Sequence, residues 1–199
     1  RLDIALTAVK EEDRTQNDGR IERESKHIRQ LVEDTLTLAW LDNEKPELQQ
    51  ESLDLIDLLD VLITDAKFEF PNKHIITHLP HHAVIENSSH RAVGQALENI
   101  LRNALRYTPV DKTVQVGLRD QGEHFEICII DQGPGVPEEL LKTIFKPFFR
   151  VDKSRERKGS SFGLGLALAQ RQLATVRATV VAANCKTDGL SMIVCVPKR

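Results

Sequence analysis

Two stretches of alternating apolar and polar residues, Thr113–Arg119 and His124–Asp131, are joined by a segment that contains Asp-Gln-Gly. A period of two residues is typical of half-buried strands, and the short glycine-containing connection predicts a hairpin. A second pair, Ala178–Asn184 and Leu190–Val196, flanks a turn at Asp188-Gly189. The sequence therefore predicts a largely antiparallel sheet with apolar side chains to bury on one face.

Helices are expected to cover that face, because three stretches carry apolar residues at helical spacing. Two short runs between the first and second of these stretches have the composition of strands. The combination predicts the fold class α+β, a two-layer α/β sandwich with its helices on one side. The helical stretches are Asp54–Phe70, Ser89–Tyr107 and Leu164–Leu173, and the strand-like runs are His74–Leu79 and Ala83–Glu86.

The first 44 residues have a different pattern. Arg1–Val9 is helical in its spacing, Asp13–Gly19 is polar and ends in the turn signal Asn-Asp-Gly, and about Arg20–Asp42 is helical again. This predicts an antiparallel helical hairpin over residues 1–44 whose apolar stripe is too wide to be buried within the hairpin. We expect a second copy of the chain to cover the stripe in a four-helix bundle. Packing against the rest of the same chain is the alternative.

A linker with the sequence Glu-Lys-Pro-Glu lies in Asn43–Gln50, because proline ends a helix and few residues there are apolar. It divides the chain into a hairpin domain, residues 1–44, and a second domain, residues 48–199. The chain begins with Arg1, in mid-helical pattern, so we expect it to be a piece of a longer protein.

The overall charge gives little guidance to function. A formal net charge of -3 provides no general attraction for nucleic acid or for an anionic membrane, and we expect no nucleic-acid partner. No apolar run is long enough to span a bilayer. Any phosphate-binding chemistry must therefore come from a local site.

The first candidate for such a site lies on the helix Ser89–Tyr107. Asn99, Asn103 and Arg106 are spaced by four and three residues and so project from one face. Amide oxygens can bind a hard cation without neutralising phosphate, and an arginine can pair with phosphate oxygen. A solvated helix face is the alternative interpretation.

The second candidate is Asp131-Gln132-Gly133-Pro134-Gly135, which comes directly after an apolar strand. The glycines let the backbone approach a flat ligand, and the carboxylate can accept a hydrogen bond from an exocyclic amine such as that of adenine. A tight turn with a solvated Asp is the alternative.

Two further segments lie beyond it in the chain. Ile144–Arg150 contains three of the seven phenylalanines, and we interpret these as a hydrophobic plug that anchors a loop. Lys153–Gly165 is basic and ends in glycines that open a helix, where backbone N–H groups form an anion site. The glycines would let this loop fold over a ligand and release it, whereas a polar loop without a ligand is the plain alternative.

The order of these segments is more specific than any one of them. Asn-x-x-x-Asn, Asp-x-Gly-x-Gly, a Phe-rich segment and Gly-x-Gly-Leu resemble the N, G1, F and G2 boxes of sensor histidine kinases. That family belongs to a wider ATPase class that includes gyrase B, Hsp90 and MutL. The resemblance covers about Leu48 to Arg199 and implies a Bergerat-type ATP-binding fold. The preceding helices resemble the family's dimerisation and phosphotransfer domain.

The resemblance implies ATP and Mg²⁺ as cofactors and a role for each matching residue. Asn103 would be the principal Mg²⁺ ligand, with Asn99 beside it, and both would be catalytic. Arg106 would contact phosphate, Tyr107 would lie against adenine or ribose, and Asp131 would accept from the adenine amino group. The remaining nucleotide-binding residues implied are Gly133, Gly135, Lys153, Gly163, Leu164 and Gly165.

The resemblance also implies an activity. The chain would be the cytoplasmic catalytic portion of a two-component sensor histidine kinase anchored in the bacterial inner membrane. It would pass the γ-phosphoryl group of ATP to a histidine and then to an aspartate of a response regulator. The family's His-acid segment is absent, and Arg1–Leu6 resembles the residues that come immediately after that segment in the family. His27 precedes Ile28 rather than an acid, so we expect the phosphoacceptor to lie outside this chain.

Two other functions stay open. One is a clamp-type ATPase of the gyrase or Hsp90 kind, although the resemblance places Glu in such enzymes where this chain has Asn99. The other is a non-catalytic nucleotide-binding interaction module, although the boxes are intact. His78, His81 and His82 could suggest a metal site, but they lack a Cys or carboxylate partner, and we expect surface histidines.

Overall fold

From residue 55 onward the chain alternates helices with strands, in the order that its periodicities predict. The computed structural model describes residues 2–43, 51–151 and 162–199, without the side chains of residues 2–20, Arg23 and His27. The elements are α1 (Leu2–Asn43), β1 (Glu51–Asp54), α2 (Leu55–Glu69), β2 (His74–His78), β3 (Val84–Ser88), α3 (His90–Tyr107), β4 (Thr113–Asp120), β5 (His124–Ile130), α4 (Gly165–Thr175), β6 (Thr179–Asn184) and β7 (Leu190–Pro197), with 3-10 turns at Glu138–Leu140 and Thr143–Phe145.

Both predicted hairpins form and join in one sheet of five strands, ordered β2-β4-β5-β7-β6. All neighbours are antiparallel except β2 and β4, which are parallel. The register places Ile127 opposite Leu118 on one side and opposite Val194 on the other. Since all three side chains are buried, one face of the sheet forms the core. The predicted two-layer α/β fold is confirmed.

Helix α3 covers the centre of that face. Ser89 caps it, since the Ser89 hydroxyl oxygen accepts from the amide of Ala92 at 3.4 Å. The apolar side of the helix is fully buried, and each large apolar side chain there contributes about 1.5–3 kcal/mol to folding. These buried residues include Val93, Ala96, Leu97, Ile100, Leu101 and Ala104.

A small antiparallel ribbon of β1 and β3 was not expected. Leu53 pairs with Ile85, and both side chains are buried. Strand β1 has only four residues, too few to show a period of two beside a proline-containing linker. The linker residues 44–50 lie outside the described part of the chain. The division into two domains at this point stays a prediction.

The N-terminal segment differs from the expectation. The structure has one continuous helix of 42 residues, α1, in place of a helical hairpin with a turn at Asn17-Asp18-Gly19. These three residues cost a helix only about 0.5–1 kcal/mol each, and long helical stretches flank them. A hairpin would gain little to offset its turn without a partner to cover its stripe.

The C-terminal part of α1 packs against α4. Leu38 is buried in a cluster with Leu164, Ala167 and Leu168, separate from the main core. Next to the cluster, Arg171 Nε of α4 lies 2.6 Å from Asp42 Oδ1 of α1. This face of α1 therefore packs against the same chain, as the alternative interpretation of the sequence predicted.

Candidate functional site

A cavity of about 550 Å³ opens beside α3, between α4 and the segment after β5. The polar strip of α3 forms part of its wall. Asn99 and Asn103 are half-buried and Arg106 is exposed, because the opposite side of the helix faces the sheet. Every residue predicted for the site that the structure describes lines this cavity, except Gly133. The lining set is Asn99, Asn103, Arg106, Tyr107, Asp131, Gly135, Gly163, Leu164 and Gly165.

Asp131, at the end of β5, is held by two backbone amides. Its Oδ1 accepts from Gly133 at 2.8 Å and from Leu190 at 3.1 Å. Burial raises the pKa of the Asp131 carboxyl above the usual range for Asp, and the two amide hydrogen bonds lower it without cancelling that effect. The result is a buried, oriented carboxylate on the cavity wall.

Gly133 does not line the cavity but lies directly behind it. A Cβ at position 133 would be 2.9 Å from the carbonyl oxygen of Tyr107, so the turn can press against α3 only without a side chain. Gly189 supports Asp131 from the other side. A Cβ there would be 1.9 Å from the Asp131 carbonyl oxygen, and its φ is +108°.

Asn184, at the end of β6, ties down the segment after Gly135. Its Oδ1 accepts from the amide of Val136 at 2.9 Å, and its Nδ2 donates to the carbonyl oxygen of Val136 at 2.6 Å and to Glu138 Oε1 at 3.1 Å. Sequence reasoning missed Asn184 and Gly189, because both are distant in the chain from Asp131. The only sequence feature that could have pointed to either residue was the predicted turn at Asp188-Gly189.

The glycines before α4 bring its N-terminus to the cavity. Gly163 has φ +73°, and its carbonyl oxygen accepts from the amide of Phe148 at 3.0 Å. A Cβ at position 163 would be 2.6 Å from the carbonyl oxygen of Phe149, which explains the need for glycine. A Cβ at Gly165 would be 3.3 Å from Asn99 Oδ1, so the start of α4 lies against the polar strip of α3.

The phenylalanine plug is only partly as predicted. Phe145 is buried and Phe149 packs against the core, whereas Phe148 is 61% exposed. The inclusion of Phe148 in the plug was therefore wrong. The backbone of Phe148 has φ +62°, which turns the chain between Phe145 and Phe149 and directs the Phe148 side chain outward. Lys153 and most of the loop that is predicted to fold over a ligand, up to residue 161, lie outside the described residues.

Arg150, the last residue of the same segment, also lines the cavity. Its Nε is buried and has no hydrogen-bond partner within the described part of the chain. A buried guanidinium nitrogen without a partner is costly, so its position beside a cavity points to an anionic ligand. The sequence signal was present, because Arg150 ends the Phe-rich segment, but no role was assigned to it.

Helix α1 contributes two residues to the cavity wall, Gln30 and Asp34. Gln30 Nε2 donates to Asp34 Oδ1 at 2.7 Å. Burial raises the pKa of Asp34, and the hydrogen bond from Gln30 lowers it by less. Sequence reasoning missed both residues, because it assigned α1 to a separate domain.

The oxygen atoms that line this cavity are suitable ligands for a Mg²⁺ ion that also binds phosphate. Mg²⁺ takes oxygen ligands and usually binds through one or two protein side chains together with phosphates and water. The amide oxygens of Asn99 and Asn103 fit that chemistry. Elsewhere in the described part of the chain, no group of three His, Cys, Asp or Glu side chains could hold a metal ion. His78, His81 and His82 are exposed.

None of the helices that the structure describes is both long and apolar enough to cross a membrane.

Comparison with known proteins agrees with this geometry. Residues 88–199, more than half of the chain, match the family described as histidine kinase-, DNA gyrase B-, and HSP90-like ATPase. The chain is 37% identical over 169 residues to the sensor protein PfeS of Pseudomonas aeruginosa, with 84% of this chain and 37% of that protein covered. It is 31% identical over 180 residues to the sensor histidine kinase CpxA of Escherichia coli, with 89% and 39% covered.

The solved structures support the same fold. The Acinetobacter baumannii histidine kinase AdeS superposes with a TM-score of 0.71 at 20% identity, covering 88% of this chain and 80% of that one. The chain spans well under half the length of the curated relatives. From its sequence match, its fold and its cavity, the chain belongs to the family of histidine kinase-, DNA gyrase B- and HSP90-like ATPases, and its ATP-binding domain is of the kind found in sensor histidine kinases.

Proposed function

We propose that this chain is the catalytic portion of a two-component sensor histidine kinase. It binds Mg²⁺-ATP and transfers the γ-phosphoryl group to a histidine outside these residues, from which it passes to an aspartate of a response regulator. One observation carries the proposal. A single cavity brings together the amides of α3, the carboxylate of Asp131 and the glycine-opened N-terminus of α4.

The two ends of the cavity would bind different parts of the nucleotide. Asp131 accepts from the exocyclic amine of adenine, because its carboxylate is already oriented by two backbone amides. Tyr107 lies against the adenine or ribose. These contacts select and position the base.

The phosphate end relies on charge neutralisation and positioning, which are the main contributions that a protein makes to phosphoryl transfer. Asn103 and Asn99 would hold Mg²⁺, which neutralises charge that develops on the phosphoryl oxygens. Arg106 and Arg150 pair with phosphate oxygens, and the amides at the start of α4 donate to them. Lys153 is proposed as a further phosphate contact, in the loop that would fold over the ligand.

Transfer to a protein is favoured over hydrolysis by the residue at position 99. An amide such as Asn99 cannot remove a proton from an attacking water molecule, whereas a carboxylate can. The clamp-type ATPase is therefore the less favoured function.

An exposed stripe on α1 supports the proposal of a dimer. Ile21, Ile28, Val32 and Leu36 are each more than half exposed and recur at intervals of seven or four residues. Such a stripe on a long helix is typical of a surface that a second helix covers. We propose that a second copy of the chain covers it. A helical hairpin in that dimer also stays a proposal.

The location of the protein belongs to the same proposal. Relatives named sensor proteins are more than twice as long as the aligned part of this chain. We infer a cytoplasmic portion of a protein whose anchor in the bacterial inner membrane lies elsewhere.

Calorimetric titration with a non-hydrolysable ATP analogue, with and without Mg²⁺, tests the nucleotide site. Asn103→Ala should remove most of the Mg²⁺-assisted part of binding, whereas Asn72→Ala, at an exposed turn, should leave it unchanged. Absence of binding by the folded parent chain would overturn the proposal. Rapid release of phosphate from ATP by the chain alone would instead favour the clamp-type ATPase.

A further inference from the structure

Helix α1 lies outside the five-stranded sheet and the helices that cover it, yet it brings an acidic side chain to the cavity where we propose that the nucleotide binds. Asp34 lines the same cavity as Asn103 and Arg106. The contact between Leu38 and α4 and the ion pair between Asp42 and Arg171 lie one and two turns further along the same face of α1. The docking of α1 on α4 therefore determines whether Asp34 is at the cavity.

Among the described residues, Asp34 has a hydrogen bond but no ion pair. The hydrogen bond from Gln30 is neutral, and no Lys or Arg of the described residues lies within ion-pair distance of Asp34. The carboxyl is also partly buried, and that burial raises its pKa. A partly desolvated carboxylate without a cation repels an anion more strongly than an exposed carboxylate does.

This repulsion distinguishes two forms of the nucleotide. Arg106 and Arg150 attract any phosphate, whether or not a metal ion accompanies it. The bare triphosphate carries two more negative charges than its Mg²⁺ complex, so Asp34 repels the bare form more. A carboxylate can also act as an oxygen ligand or water-mediated partner for Mg²⁺, which adds to the same preference.

We propose that Asp34 adds to the dependence of nucleotide binding on Mg²⁺ that Asn99 and Asn103 provide, and that it does so only while α1 is docked on α4. The inference rests on the proposed nucleotide site and deepens it. Part of the selectivity for the metal-loaded nucleotide then comes from a residue of α1, and undocking of α1 removes that part.

The test is calorimetric titration of the full chain with the non-hydrolysable ATP analogue, once with Mg²⁺ and once with a chelator. The quantity compared is a ratio, the dissociation constant measured with the chelator divided by the dissociation constant measured with Mg²⁺. Asp34→Asn keeps the size of the side chain and should lower that ratio about tenfold, mainly through tighter binding of the metal-free analogue. Glu33→Gln removes the same charge from an exposed neighbour that does not line the cavity, and should leave the ratio unchanged.

A second variant tests the role of docking. Leu38→Gln places a neutral polar group in the contact with α4 and should lower the ratio as Asp34→Asn does. Adding Asp34→Asn to Leu38→Gln should then change nothing further. Circular dichroism verifies that each variant is folded.

The outcomes separate the two proposals. An unchanged ratio in Asp34→Asn, or an equal change in Glu33→Gln, would overturn the role of Asp34 while the nucleotide site stands. A full effect of Asp34→Asn in the Leu38→Gln background would overturn the dependence on docking. If the folded parent chain binds no nucleotide, the proposed function itself fails.

Discussion

The backbone amide of Leu190 donates a hydrogen bond of 3.1 Å to Oδ1 of Asp131, a residue 59 positions earlier in the chain. In the reverse direction, the amide of Asp131 donates to the carbonyl oxygen of Leu190 at 2.9 Å. No hydrogen bond of the described residues involves Oδ2 of Asp131, which leaves that oxygen for a ligand. The start of the last strand thus orients the acid that we propose to recognise adenine.

Asp131→Asn should weaken the binding of the ATP analogue by about tenfold or more, because a hydrogen bond to a charged acceptor contributes about 1.5–3 kcal/mol. The amide can still accept from Gly133 and Leu190, but then presents an N–H to the adenine amine. Calorimetric titration measures the change. Asp120→Asn, at an exposed carboxylate paired with Lys198, is the matched control and should bind as the parent does. Equal affinity of the Asp131 variant and the parent would contradict the role of Asp131.

The raised pKa of Asp131 predicts a dependence of stability on pH. Because the folded state holds this proton more tightly than the unfolded state, protonation stabilises the fold. That stabilisation is fully present below the unfolded-state pKa and is lost as the pH rises through the folded-state pKa. Urea unfolding of the parent and of Asp131→Asn between about pH 4 and pH 7 measures it. The parent should lose stability relative to the variant as the pH rises, and a constant difference would be the contrary result.

Gly189→Ala should destabilise the fold by roughly 2–4 kcal/mol, since it combines a strained backbone with a steric clash. Its added methyl group would lie 1.9 Å from the carbonyl oxygen of Asp131. Gly122→Ala is the matched control. Gly122 also has positive φ, +83°, but no atom lies within 4 Å of the added methyl group, so only the backbone strain of about 1 kcal/mol applies.

Urea unfolding compares the two glycine variants. If Gly189→Ala loses no more free energy of unfolding than Gly122→Ala, the added methyl group does not clash with Asp131. The Gly189 variant should also bind the nucleotide analogue less well where it remains folded, because the displacement of Asp131 disturbs the proposed adenine site.

Asn184→Ala should loosen the segment after Gly135, because it removes three hydrogen bonds to Val136 and Glu138. We expect a loss of about 1–3 kcal/mol in the free energy of unfolding. The amide of Val136 should also exchange with solvent faster, as hydrogen exchange detects. Glu138→Ala removes only the contact of 3.1 Å and should have a smaller effect on both quantities. Equal protection of Val136 in the parent and in the Asn184 variant would refute this role.

The strands and helices of residues 51–199 could be predicted with few errors, because their signals are local. The alternation in Thr113–Asp120 and His124–Ile130 and the helical spacing in His90–Tyr107 are each sufficient to assign the element. Strand β1 was missed because four residues carry no clear period. The continuous helix α1 was missed because a turn signal outweighed the helical flanks.

The sequence by itself determined which side chains could form the site. Asn99 and Asn103 share a helix face because of their spacing, and Asp131 ends an apolar strand before two glycines. These are relations between near neighbours in the chain, so a single sequence can show them.

Only the tertiary structure decided what holds and surrounds those side chains. Leu190, Gly189 and Asn184 support Asp131 and the segment after it only because the strand order places β7 beside β5. Asp34 reaches the cavity only because α1 packs on α4. Contacts between residues far apart in the chain depend on how the apolar faces of separate elements pack together, and no local pattern in the sequence specifies them.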